Sequence, residues 1–189
     1  MKLILASQSP RRKEILSKMG YTFEVHPSKS EEVFDLSLPL DEALKKVAYS
    51  KAKDVYDLYS DCIVLGSDTI VTYQGKIFGK PKDLDEARLF LRTFSQTTHE
   101  VKTGVCVIVD DTVYVDVATT FVHFRKLNDI DIENYVQNKN PLDKAGGYGI
   151  QESDFVEWIE GSMTNVVGLP AENLEQIFIQ IEKDGYTID

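Results

Sequence analysis

The 189 residues carry 42% hydrophobic and 28% charged side chains, enough for one well-cored soluble domain with room for two lobes. A net charge of −10 argues against a general nucleic-acid-binding surface, and no apolar run approaches the length of a membrane span. Met1-Lys2-Leu3-Ile4-Leu5 is too short for the apolar region of a signal peptide. The two cysteines, Cys62 and Cys106, sit in apolar strand-like runs, as buried thiols of a cytoplasmic protein do.

Leu3-Ile4-Leu5 reads as a strand, Ala6 to Ser9 as a turn, and Pro10 onward as a helix. Ser9 is placed as N-cap, with Pro10 at the first helical position. Ile15, Leu16 and Met19 give the helix an apolar side, and Gly20 ends it. Arg11, Arg12 and Lys13 crowd its first turn, where the helix dipole is already positive, so an anion is expected there. Free N–H groups, a serine turn and two guanidinium forks describe a phosphate site; a solvated basic helix start is the plain alternative. Residues 1–20 hold five Lys/Arg against one Glu, so the acidic chain has one locally cationic end, suited to a small polyphosphate.

Tyr21 to Val25 alternates like a strand, and residues 26–40 form a polar loop carrying Glu31-Glu32. A long helix is expected from Asp41 or Glu42 to about Tyr59, with Leu44, Val47, Ala48, Val55 and Leu58 along its apolar stripe. Lys51 falls on that stripe. Either its stem lies along apolar surface, or its ammonium reaches negative charge in a cleft.

Cys62-Ile63-Val64-Leu65 reads as a buried strand that stops at Gly66-Ser67-Asp68-Thr69, with Ile70 to Tyr73 resuming the pattern. Gln74-Gly75 then forms a hairpin turn. Asp68, between two apolar segments, breaks local consistency. A buried carboxylate is costly unless paired, hydrogen-bonded or metal-bound, and such breaches mark functional positions. Gly79-Lys80-Pro81 is an extended loop, and Asp83 with Glu86 opens a helix bearing Ala87, Phe90, Leu91 and Phe94.

Two alternating strands, residues 100–109 and 112–124, join at Asp110-Asp111, and His99 and His123 read as ordinary structural histidines. Asn128 caps a helix through Val136. The stretch from Asn140 to Gln151 has three glycines in four residues, which implies tight turns or close backbone approach; a flexible connector is the alternative. It has neither the setting of a dinucleotide-binding GxGxxG nor the ending of a P-loop. Phe155 to Ile159 resembles a strand, and a last helix places Leu174, Ile177, Phe178 and Ile181 inward.

These stretches together resemble the Maf family of nucleoside triphosphate pyrophosphatases. The resemblance rests on Ser7-Gln8-Ser9-Pro10-Arg11-Arg12, Glu31-Glu32, Lys51-Ala52, Gly66-Ser67-Asp68-Thr69, Gly79-Lys80-Pro81, Asp143-Lys144-Ala145-Gly146, Tyr148-Gly149-Ile150-Gln151 and Val167-Gly168-Leu169-Pro170, in that order over nearly the whole chain. It implies a single domain over 1–189 with an α/β fold: an elongated mixed β-sheet flanked by helices, in two lobes with a central cleft, similar to inosine-triphosphate pyrophosphatases. It implies hydrolysis of a nucleoside triphosphate to monophosphate and pyrophosphate, with Mg²⁺ or Mn²⁺, in a cytoplasmic homodimer. By the same resemblance Asp68 is the proton acceptor and shares the metal with Glu32. Arg11, Thr69 and Gln151 select the base, while Ser7, Arg12, Lys51 and Lys80 contact phosphate. Thr69 with Arg11 and Gln151 resembles the branch acting on dTTP and UTP rather than the branch preferring 7-methyl-GTP. The chain departs from the family pattern at Glu152, where Gly is expected, and at Gly147, where Ala is commoner.

The chemistry agrees. A triphosphate brings about four negative charges, and its leaving pyrophosphate needs Lys and Arg to stabilise it. A carboxyl with the usual pKa of about 4 is a poor base, so acidification of water by the metal is expected to contribute much of the activation. A house-cleaning role and a link to septum formation also follow from the resemblance. The competing readings are a nucleotide-sensing regulator of division and a pyrophosphatase for a modified purine triphosphate. Asp68, Lys51 and Lys80 argue against a purely sensing role, because sensing needs no base.

Overall fold

The computed structural model describes residues 1–59 and 61–189. Its strands are β1 (Lys2–Leu5), β2 (Phe23–Val25), β3 (Cys62–Tyr73), β4 (Lys76–Phe78), β5 (Thr98–Val109), β6 (Thr112–Phe124) and β7 (Val156–Glu160). They form one sheet in the order β2-β1-β3-β5-β6-β7, with β4 paired to β3. β1 is parallel to β2 and β3, whereas β4 on β3 and β7 on β6 are antiparallel, so the sheet is mixed. The helices are α1 (Pro10–Lys18), α2 (Leu40–Tyr56), α3 (Leu84–Phe94), α4 (Asp129–Asn138), α5 (Met163–Val167) and α6 (Ala171–Lys183). This is the expected α/β class. No helix among the described residues is long and apolar enough to cross a membrane.

The chain divides into two units: Met1–Asp68, Thr103–Ala118 and Gly168–Asp189 form the first; Thr69–Lys102 and Thr119–Val167 form the second. In the first, β1 lies between two parallel partners, and Leu3, Ile4 and Leu5 are wholly buried, the continuous apolar run such a strand requires. Its core joins Ile4 and Val64 of the sheet to Ala48, Ala52 and Val55 of α2, with Cys62, Cys106 and Ile108. Both cysteines are free and buried, and burial pushes the Cys106 thiol up to about 12.

α2 ends sooner than expected. Its last turn closes at Asp57, whose N–H donates to the Lys53 carbonyl as the Leu58 N–H does to that of Val55, and the Leu58 side chain is exposed rather than on the apolar stripe. The expected break in the strand at Gly66 is also absent: β3 runs unbroken from Cys62 to Tyr73. Gly66 makes this possible. A Cβ there would stand 2.5 Å from the Ala52 nitrogen and 2.6 Å from the Ala48 oxygen, so only a glycine lets the strand touch the α2 backbone. Asp68 is therefore a mid-strand residue on a backbone held against a helix.

The second unit is built on an aromatic core of Phe94, Phe124, Tyr135, Tyr148 and Phe155 with Leu91, Val101 and Val122. Asp83 accepts from the Glu86 N–H at 2.8 Å to start α3, and Asn128 with Asp131 forms a full capping box on α4. Both histidines are structural, as expected. His99 stacks on Phe94 and its Nε2 lies 2.7 Å from the Tyr148 hydroxyl, while His123 stacks on Trp158. α5 was not legible in the sequence pattern. Its Asn165, wholly buried, donates to the Val101 carbonyl at 3.0 Å and to the Thr120 hydroxyl at 2.9 Å.

Candidate active site

In the first unit the chemistry gathers at the Asp68 carboxylate, which is nearly buried. The Lys51 ammonium donates to Asp68 Oδ1 at 2.6 Å and to Glu32 Oε1 at 2.7 Å. Of the two readings of Lys51, its ammonium reaching negative charge is the one realised: its side chain is 11% exposed, so its charge is met by carboxylates rather than by water. Burial raises the Asp68 carboxyl above the usual range and Glu32 adds to the rise, with Lys51 and Arg12 opposing it. The expectation of a carboxyl with the ordinary pKa is corrected accordingly.

Arg12 is fixed from two sides. Its Nε donates to the Gly168 carbonyl at 2.8 Å and its Nη1 to Ser7 Oγ at 3.2 Å. Ser7 Oγ also accepts from the Ser9 N–H at 3.2 Å, which shapes the turn ahead of α1. The Ser9 side chain in turn caps the helix at the Arg12 N–H. Burial lowers the Arg12 pKa, and the charges of Asp68 and Glu32 oppose that, while Arg11 adds to it. Ser7, Arg12, Glu32, Lys51 and Asp68 are thus brought together, from a turn, a helix start, a loop, a helix and a strand.

Glu32 has no regular element to hold it. Asp54, one turn beyond Lys51 on α2, ties the start of its loop down: its Oδ2 accepts from the Ser28 hydroxyl at 2.9 Å and the Lys29 N–H at 2.7 Å. Sequence reasoning missed this tie. Asp54 was legible only as one more charged residue on a polar helix face.

The second unit carries Thr69, Lys80 and Gln151. Thr69 follows Asp68 on β3 and is half-buried, whereas Lys80 and Gln151 are exposed. Lys80 and the glycine-rich segment are joined through the backbone, since the Gly146 N–H donates to the Gly79 carbonyl at 3.0 Å. At φ 72° and with a Cβ position 2.8 Å from Val71 Cγ2, Gly146 must be glycine. The flexible-connector reading of this segment does not hold. Two short 3-10 turns, Pro141–Asp143 and Ala145–Gly147, and the buried Tyr148 fix it.

Asp68 and Glu32 are the carboxylates that could hold a divalent cation here. Two carboxylates converge on one ammonium, so they already meet at a point of positive charge. Among the described residues no group of three or more His, Cys, Asp or Glu stands ready as a complete metal cage. Mg²⁺ is commonly held by one or two carboxylates plus phosphate oxygens and water, and the two acids here have Lys51 and Arg12 beside them.

The whole chain also resembles known proteins. A family model described as "Maf-like protein" matches residues 2–181. A protein of Alkaliphilus oremlandii named dTTP/UTP pyrophosphatase is 50% identical over 173 residues, covering 89% of this chain and 90% of the relative. One of Bacillus anthracis with the same name is 44% identical over 185 residues, covering 97% of each. A solved structure, protein VC0702 from Vibrio cholerae, is 12% identical with a TM-score of 0.36 over 73% of this chain and 70% of that one, too distant to bear on the fold. With a match from the first strand into the last helix and relatives of this identity over almost their full length, the chain belongs to the Maf family.

Proposed function

We propose that the chain is a nucleoside triphosphate pyrophosphatase that hydrolyses dTTP and UTP to the monophosphate and pyrophosphate. The observation that carries this is the buried Asp68 carboxylate, raised in pKa and ringed by Lys51, Glu32 and Arg12. The names of the two relatives supply the substrate class.

In this reading Asp68 accepts the proton of a water that attacks the α-phosphorus. A bond forms between the water oxygen and that phosphorus, the bond to the bridging oxygen breaks, and pyrophosphate leaves with the bond's electrons. Ser7, Arg12, Lys51 and Lys80 hold the phosphates. The guanidinium of Arg12, pinned by Gly168 and Ser7, is already oriented, so little side-chain order is lost when it binds. Glu32 and Asp68 would hold Mg²⁺ or Mn²⁺, which supplies charge neutralisation on the phosphates and acidifies water. Arg11, Thr69 and Gln151 select the base, the Gln151 amide matching the donor and acceptor edge of thymine or uracil. The reading extends to a cytoplasmic homodimer, a single domain over 1–189 and a house-cleaning role.

The test is release of pyrophosphate from a panel of natural and modified triphosphates with Mg²⁺ or Mn²⁺, both products identified, alongside Asp68→Asn. dTTP and UTP should be the best natural substrates, and Asp68→Asn should lose about a thousandfold in kcat while keeping its fold. Near-full turnover by a folded Asp68→Asn protein would refute the role of Asp68.

A further inference from the structure

The carboxylate that follows Gln151 closes a ring of contacts around the glycine-rich segment. The Gly149 N–H donates to the Tyr135 hydroxyl at 2.8 Å, and that hydroxyl donates to Glu152 Oε2 at 3.1 Å. The same Oε2 lies 3.1 Å from the Lys144 ammonium. Lys144 also donates to the Asn140 carbonyl and to Asp143 Oδ1, each at 2.7 Å, and its side chain is only 5% exposed. The Glu152 N–H returns to the Gly149 carbonyl at 3.0 Å. Residues 140 to 152 are thereby tied at both ends to one buried cation and one tyrosine, whose ring is held against Phe155 in the core.

Gly146, Gly147 and Gly149 lack side chains with which to pin this backbone, and glycine is the residue that loses most freedom on being ordered. Gly149 is also where the ring must pass: a Cβ there would stand 3.0 Å from Glu152 Oε2 and from Lys144 Cε. We propose that Glu152 is a positioning residue that braces this segment through Tyr135 and Lys144, so that Gln151 is presented to the nucleobase in a fixed pose. The inference rests on the base-selecting role of Gln151 proposed above. Glu152 touches no reacting atom, so its effect falls on binding and selectivity rather than on the chemical step.

The experiment compares wild type, Glu152→Ala, Tyr135→Phe and the double variant by amide exchange over residues 149–152 and by kinetics with dTTP, UTP and CTP. In Glu152→Ala the Gly149 amide should exchange at least about tenfold faster. KM for dTTP and UTP should rise about tenfold and the preference for dTTP over CTP fall about tenfold, with kcat within about threefold. The double variant should be no worse than the more affected single one, because both remove the same brace. Glu152→Gln, which keeps an acceptor for Tyr135, should recover much of the preference. Unchanged exchange, unchanged selectivity, or fully additive effects would overturn the proposal. A wild-type protein releasing pyrophosphate from neither nucleotide would overturn the pyrophosphatase reading, and this inference with it. An active wild type with an indistinguishable Glu152→Ala overturns the inference alone.

Discussion

The Lys51 ammonium stands 2.6 Å from Asp68 and is the counter-charge that lets this carboxylate remain inside the protein. Removing one partner of a buried pair leaves the other uncompensated, a loss of about 3 kcal/mol or more. Lys51→Met is therefore expected to destabilise the metal-free protein by about 3 kcal/mol at pH 7. The loss should shrink toward pH 4, where Asp68 can take a proton and become neutral. Lys51→Met/Asp68→Asn should regain most of the stability at pH 7, since no lone charge is left. Urea unfolding in EDTA at both pH values measures all three. A single variant as stable as wild type at pH 7 would mean that the pair contributes nothing.

Gly66 is the second fixed point beneath Asp68. Gly66→Ala must push β3 off α2 by an ångström or so, because the added carbon meets backbone atoms rather than a yielding side chain. The expected cost is about 3 kcal/mol, seen as a fall of several degrees in Tm. Turnover should fall as well, since Asp68 is only two residues along the same strand. Gly79→Ala, with open space around its Cβ position, is the control and should lose neither.

Much of this was readable beforehand, and the exceptions have physical causes. Ser9 and Pro10 announced α1 because caps are local chemistry, and Gln74-Gly75 and Asp110-Asp111 announced their turns because positive φ restricts residue choice. Asp68 stood out as a charge amid apolar residues. The break expected at Gly66 failed because a glycine in a strand can mean close approach of another backbone as readily as a turn, and only the partner helix decides which. Leu58 misled for a similar reason: it kept the apolar spacing after the helix had ended. Asp54 and the Tyr135–Glu152–Lys144 ring were illegible because their meaning lies in contacts made across intervening chain, 25 and 26 residues for Asp54 and up to 17 for the ring.

Asp54 ties residues 28–29 of the Glu32 loop to α2, alongside the Lys51–Glu32 and Lys46–Asp35 contacts. Asp54→Ala should loosen that loop without touching Arg12, Lys51 or Lys80. Proteolytic nicking between residues 27 and 38 should then quicken several-fold, and the Mg²⁺ concentration giving half-maximal rate should rise by a similar factor, with the rate at saturating Mg²⁺ little changed. A large fall in the saturated rate would instead mean that Asp54 takes part in the chemistry.

His99 sets how the protein meets acid. Buried among Phe94, Phe124 and Tyr148, it has one ring nitrogen on the Tyr148 hydroxyl and no partner at Nδ1 among the described residues. Burial, with His123 adding slightly, lowers its pKa to about 3. The unfolded chain therefore binds a proton that the folded chain refuses between about pH 6.5 and 3, so stability is full above that window and falls with pH inside it. At pH 4.5 the penalty has reached about 3 kcal/mol. His99→Phe keeps the aromatic volume but forfeits the bond to Tyr148, a loss of about 1 to 2 kcal/mol at pH 7.5. The variant should be the weaker protein at pH 7.5 and the stronger at pH 4.5, its carboxylates titrating as in wild type. Parallel stability curves from urea unfolding at the two pH values would show that His99 titrates normally in the fold.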